Sequence, residues 1–158
     1  MSFSIKLRPS AMEKRHLVVG PIWLEIDGKD FPGEGWDDFP VVILGWWLSE
    51  VKPLLTNQTG SCECLFMDGD YEFEVNVLGK ELWGVTLIKR GLDDKGEDVK
   101  VCLMEKKTAP KIFISELISA ANMLVNLCRQ NGWESDDLTT LENKSAEVSE
   151  LAQTLSLI

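Results

Sequence analysis

The segment Phe31 to Leu55 (FPGEGWDDFPVVILGWWLSEVKPLL) constrains the fold of this chain more than any other. Its second part carries Phe39, Val42, Ile43, Trp46, Trp47 and Val51 at three- and four-residue steps. That spacing predicts a helix over Phe39–Leu55 with an apolar stripe too wide to be left in water. Asp37 and Asp38 are candidate N-caps, Pro40 suits the first turn, and Pro53 limits the helix at its far end. Gly45 would let a neighbouring backbone approach closely. The apolar run is shorter than the ~20 residues that cross a bilayer. The rest of the fold must cover this stripe, and the tryptophan pair reads first as core packing.

A strongly β-patterned region can do so. Cys62–Met67 is a predicted strand, Asp68-Gly69-Asp70 a tight turn, and Tyr71–Leu78 the returning strand. In the latter Tyr71, Phe73, Val75 and Val77 share one face, and Glu72, Glu74 and Asn76 the other. Leu82–Lys89, less cleanly alternating, reads as a strand buried on both faces, and Val99–Met104 follows. Short turns between consecutive strands imply an antiparallel meander. Ahead of the helix, Ile22, Leu24 and Ile26 alternate with Trp23, Glu25 and Asp27 as a first strand ending in an Asp27-Gly28 turn.

Two helices complete the chain. One begins near Ser115, buries Leu117, Ile118, Ala121, Leu124, Val125 and Cys128, and stops at Gly132. The other runs from Asp136 or Asp137 to the end with a narrow seam of Leu138, Leu141, Val148, Leu151 and Leu155. The expected class is α+β: an antiparallel sheet of about five strands, packed by the central helix and a C-terminal helix pair. The 158 residues fit one domain, 1–158, with 115–158 a helical hairpin and the locally basic residues 1–16 partly mobile.

Charge bounds the function. Twenty-six carboxylates against 16 Lys and Arg give −10, which argues against nucleic acid and anionic membranes as partners. It suits a basic protein partner, although a soluble surface alone also accounts for it. The acids concentrate in residues 25–50, 63–81 and 132–158, whereas 89–111 carries seven bases and five acids. Asp30, Glu34, Asp37, Asp38, Asp70, Glu72 and Glu74 are the candidate partner-binding residues. Glu72 and Glu74 share one face of one strand, an arrangement that costs stability unless a cation approaches.

No catalytic constellation is legible. His16 is the single histidine, and no nucleophile elbow or phosphate loop is present. Asp68, Asp70 and Glu72 read as turn chemistry rather than a calcium loop, which spreads its oxygens over about twelve residues. Cys62-x-Cys64 lacks the second pair a structural zinc site needs. With Cys102 and Cys128, these read as buried thiols of a reduced, cytoplasmic chain; no metal or cofactor is expected.

The order Phe31-Pro32, Trp36-Asp37-Asp38-Phe39, Val42 to Trp47 and Phe66 to Tyr71 resembles small bacterial immunity proteins of polymorphic toxin and contact-dependent inhibition systems. The resemblance covers the first half of the chain. It implies a cytoplasmic, non-enzymatic protein that binds and blocks one cognate toxin domain, often a basic nuclease. An alternative is a structural or adaptor module self-associating through the C-terminal helices; a third is an enzyme with two carboxylates in a cleft.

Overall fold

Strand β3 (Val18–Ile26) is the spine of the first half of the molecule. In the computed structural model, which describes residues 2–158, four short strands pair antiparallel with it. They are β1 (Phe3–Leu7), β2 (Glu13–Lys14), β4 (Lys29–Phe31) and β5 (Asp37–Asp38). The β3–β4 link is the expected Asp27-Gly28 turn, with φ of 51° and 81°. Positive φ at both central residues is the hairpin geometry whose twist matches its strands.

Residues 2–16 are not a loose tail; Met1 lies outside the described residues. Phe3, Ile5 and Met12 are buried, and the Phe3 ring lies 5.0 Å from that of Phe113. Phe3, Ile5 and Leu7 alternate with Ser4 and Lys6, a two-residue period masked by the surrounding positive charge. A 3₁₀ turn at Pro9–Ala11 then sets Met12 on β3, and a Cβ at Gly20 would run into its sulfur. Trp23, expected on the wet face of β3, is buried too: Arg8 covers its ring at 5.2 Å, and its Nε1 donates to Asp30 Oδ1 at 3.0 Å.

Helix α1 spans Pro40–Asn57, with Phe39 at the N-cap and Pro40 in the first turn. Pro53 lies inside it, on the exposed side, and the helix runs four residues further. Ser49, whose carbonyl Pro53 leaves without its helix bond, is itself exposed, where water can satisfy that carbonyl and lower the usual cost. Gly45 faces open space, so the expected close backbone approach does not occur. The two tryptophans divide, because neighbours on a helix point about 100° apart. Trp47 is wholly buried, donates from Nε1 to the Leu65 carbonyl at 2.7 Å, and meets Phe66 and Phe73 edge to face. Trp46 is 41% exposed.

The second sheet is the expected meander of β6 (Ser61–Leu65), β7 (Tyr71–Gly79), β8 (Leu82–Leu92) and β9 (Asp98–Thr108). The β architecture is therefore two antiparallel sheets rather than one, with β3 founding its own. Strand β8 is not simply buried on both faces. Trp83, Val85 and Leu87 face the core, while Ile88, the next residue along, points to the opposite face and is also buried. Pairing with β9 slips here because β9 carries one extra residue, Leu103.

Helices α2 (Pro110–Gln130) and α3 (Asp136–Thr154) close the fold. Every residue of the expected α2 stripe is buried, and the helix begins five residues early, adding Phe113 and Ile114. Gly132, at φ 70°, ends the segment: its N–H bonds Arg129 O and that of Trp133 bonds Cys128 O. Ser135 caps α3 through its Oγ, with Asp136 and Asp137 in the first turn. Of the expected α3 seam, Leu138, Leu141 and Val148 are buried with Ser145 and Ala152 against α1 and α2, whereas Leu151 and Leu155, the latter at the C-cap, are half-buried. The seam is thus largely used within the chain and offers little to a second copy. By length and composition α2 could cross a membrane, but it is spent on this core, which joins both sheets and all three helices.

Candidate interaction surface

The acidic loop before α1 and the Asp68–Asp70 turn are one structure, joined by Asp38. This carboxylate is 1% exposed. Its Oδ2 accepts from Trp36 Nε1 at 3.1 Å and Asp68 N at 3.2 Å, and its Oδ1 from Phe39 N at 2.8 Å. Trp36 also meets Tyr71 edge to face at 5.3 Å. A Cβ at Gly69 would stand 3.1 Å from the Trp36 ring and would have to adopt a φ of 70°, so the close contact and the backbone both favour glycine there. Asp38 thus serves the fold and is withdrawn from any partner.

Around this joint Glu34, Asp37, Asp68 and Asp70 are exposed. Arg8 is 3.7 Å from Glu34, and Lys89 stands 6.0 Å over the Tyr71 ring. Asp30 is exposed on β4, where it holds Trp23. Of the seven candidate residues, Glu34, Asp37 and Asp70 therefore belong to one accessible rim.

Glu72 and Glu74 have a different role. Glu72 is buried, although it lies on the face away from the helices. Lys100 Nζ is 2.8 Å from Glu63 Oε1 and 3.4 Å from both Glu72 Oε2 and Glu74 Oε1, and Arg90 Nε is 3.5 Å from Glu72 Oε1. The chain itself supplies the cation that adjacent glutamates demand. Glu63 foremost, then Glu72 and Glu74, hold the Lys100 ammonium above the usual lysine range.

This cluster reports the shape of the sheet. Glu63 pairs with Glu74 and Glu74 with Thr86, whereas Lys100 pairs with Arg90, four residues along β8. In a flat sheet three strand spacings and that stagger would separate the Glu63 and Lys100 backbones by about 19 Å. Two side chains cannot bridge such a gap. The sheet must curl so that its helix-free face is concave, and the bulge at Leu87/Ile88 accommodates the bend. The oxygens of Glu63, Glu72 and Glu74 lie within 4.8 Å of one another, a spacing that could ligate a divalent cation, but the Lys100 ammonium sits among them.

Cys62, Cys64 and Cys128 are buried, whereas Cys102 is exposed on β9, contrary to the expectation of four buried thiols. Burial and the adjacent Cys62 push the Cys64 thiol well up, and burial with Glu134 raises Cys128. Both shifts favour the thiol over the thiolate. A cavity of about 410 Å³ near the chain end is walled by Leu54, Val77, Trp83 and Leu157, and its ionisable side chains, Lys80 and Glu81, stand on an exposed turn.

Sequence reasoning missed Glu63, Arg90 and Lys100, because which strands face each other across a curled sheet is not written in local alternation. The net positive charge of residues 89–111 was the available signal. The geometry defines an α+β protein with two antiparallel sheets, a concave helix-free sheet face and an adjoining acidic rim. No family model, curated protein or solved structure matches the chain.

Proposed function

We propose that this protein is a cytoplasmic, non-enzymatic immunity protein that binds a basic toxin domain and occludes its active site. The observation that carries this reading is the rim of Glu34, Asp37, Asp68 and Asp70, four exposed carboxylates on two segments locked together through Asp38 and Trp36. Preorganised acids bind cations without paying to order their loop, and they steer a basic partner from a distance. On a nuclease they would occupy the place of substrate phosphates, pairing with its Lys and Arg. The resemblance of the Phe31–Tyr71 region to immunity proteins points the same way.

The test is a rescue assay. The C-terminal tail encoded by the neighbouring reading frame is expressed in a tester cell with and without this protein, and survivors are counted. Rescue by the native chain, lost in the Asp37→Lys/Asp70→Lys pair, is the expected result. A toxic tail that kills regardless would sink the reading. Reversing Glu72 would test the fold instead, because that carboxylate is interior.

A further inference from the structure

Strand β9 ends the second sheet, so among the described residues one of its edges has no strand beside it. Along its distal half, Asp98–Leu103, every residue is exposed, including Val99 (38%), Val101 (49%) and Leu103 (52%). Such an edge is a template for another strand, and lysines are a common guard against that. Here Lys100, the one lysine within Asp98–Leu103, and Lys106 beyond it are pulled aside, and the third lysine of the strand, Lys107, stands at its far end. Lys100 reaches back over the concave face to Glu63, Glu72 and Glu74, and Lys106 lies 3.4 Å from Asp27.

We propose that Asp98–Leu103 is a docking edge that pairs with an extended strand of a partner protein. The partner strand carries apolar residues at alternate positions and Lys or Arg where it passes the hairpin tip. The charge at that tip sets the second requirement. The Asp93 carboxylate is used inside the turn, accepting from Lys95 N and Glu97 N at 2.9 Å each. Asp94, Glu97 and Asp98 are left exposed against Lys95 alone. The edge is also continuous with the acidic rim: Arg90 N donates to Asp70 O at 2.8 Å, and a cavity of about 470 Å³ is lined by Asp70, Arg90, Leu92, Asp98 and Val99. In this respect the inference rests on the toxin-binding reading and names a second contact for the same partner. Main-chain pairing supplies affinity, and alternate side chains supply selectivity.

A second copy of this chain fits poorly along the whole of β9. The β9 bulge, between Cys102 and Met104, reverses side-chain alternation midway. A two-fold pairing along the whole strand would then set outward residues against inward ones.

The experiment uses the full chain and a blocked octapeptide alternating lysine and valine, followed by amide hydrogen exchange. Saturating peptide should slow exchange at Asp98–Leu103 at least tenfold, and an octapeptide alternating glutamate and valine should bind at least tenfold more weakly. The Val99→Lys/Val101→Lys pair, at exposed positions, should keep the native urea midpoint and lose at least tenfold in peptide affinity. No protection at millimolar peptide, or protection confined to another strand, overturns the proposal. So does a dimer in sedimentation that protects β9 without peptide, which would assign the edge to a second copy. The two readings fail separately. Toxin rescue unchanged in the Val99→Lys/Val101→Lys pair removes the edge and keeps immunity; peptide pairing without rescue removes immunity and keeps the edge.

Discussion

Replacing Asp38 by asparagine, the mildest change available, should cost nearly as much stability as replacing it by alanine. One carboxylate oxygen takes the Phe39 N–H, and the other takes both Trp36 Nε1 and Asp68 N. Alanine forfeits all three bonds. A bond to a charged acceptor is worth about 1.5–3 kcal/mol, but Trp36 is only half-buried and Asp68 is exposed, so water recovers part of that loss. The net cost is about 3 kcal/mol, dominated by the buried end of α1 and the loosened turn. Asparagine keeps the shape but turns one acceptor into a donor. In either flip state an NH₂ group faces at least one N–H that needs an acceptor. The assay is urea unfolding followed by circular dichroism at pH 7. With a slope of about 2 kcal/mol per molar, both variants should lose about 1.5 M in midpoint. An Asp38→Asn midpoint within about 0.3 M of native, on a slope of that size, would show that the three bonds contribute little beyond packing and would refute this account.

The tryptophan pair should separate cleanly: Trp47→Phe loses the bond to the Leu65 carbonyl and leaves a void, costing about 2–3 kcal/mol, whereas Trp46→Phe should fall within about 0.5 kcal/mol of native in the same denaturation. Lys100→Met should destabilise by about 2 kcal/mol, since it leaves the buried Glu72 facing Arg90 alone, and Lys107→Met, at an exposed site, should be neutral in parallel melts. A thiol reagent should titrate one cysteine, Cys102, in the native protein and four in urea. Stability should fall in alkali through Cys64. Its folded pKa lies well above the ordinary 9.0, so the unfolded chain loses the proton first; the contribution is complete below that value and is lost as pH rises through the folded pKa. The urea midpoint of Cys64→Ala should decline less steeply than that of the native chain above pH 9, with a difference in slope of at most about 1.4 kcal/mol per pH unit.

What could be read from the chain, and what could not, follows from the range of the interactions involved. Helix α1, the four-strand meander, the α2 stripe and the Gly132 stop are local patterns, each set by residues within a few positions of one another, and each element is found near where the periodicity puts it. Even so, α1 buries Val41, Leu44 and Leu48 beside Ile43, Trp47 and Val51, and leaves Phe39 and Val42 half-buried and Trp46 exposed. Strand β1 was locally legible too, but four basic residues around it outweighed Phe3 and Ile5. The site divided differently. Glu34, Asp37 and Asp70 are exposed because loops and turns are exposed, which sequence conveys. Asp38 and Glu72 are interior because of partners 30 and 28 residues away, Asp68 and Lys100, and alternation gives no hint of such partners. The two cases share one physical rule. A carboxylate can be buried only where donors or cations converge on it, so the acids that look most conspicuous in a strand or a helix cap are the ones the fold is most apt to have consumed. For binding, the informative acids are those whose charge the chain leaves unanswered. On this molecule that criterion selects Asp37, Asp68 and Asp70 of the rim around Trp36, rather than Glu34, which Arg8 answers, and the tip of the β8–β9 hairpin. It sets aside the concave face that the raw pattern of glutamates favoured.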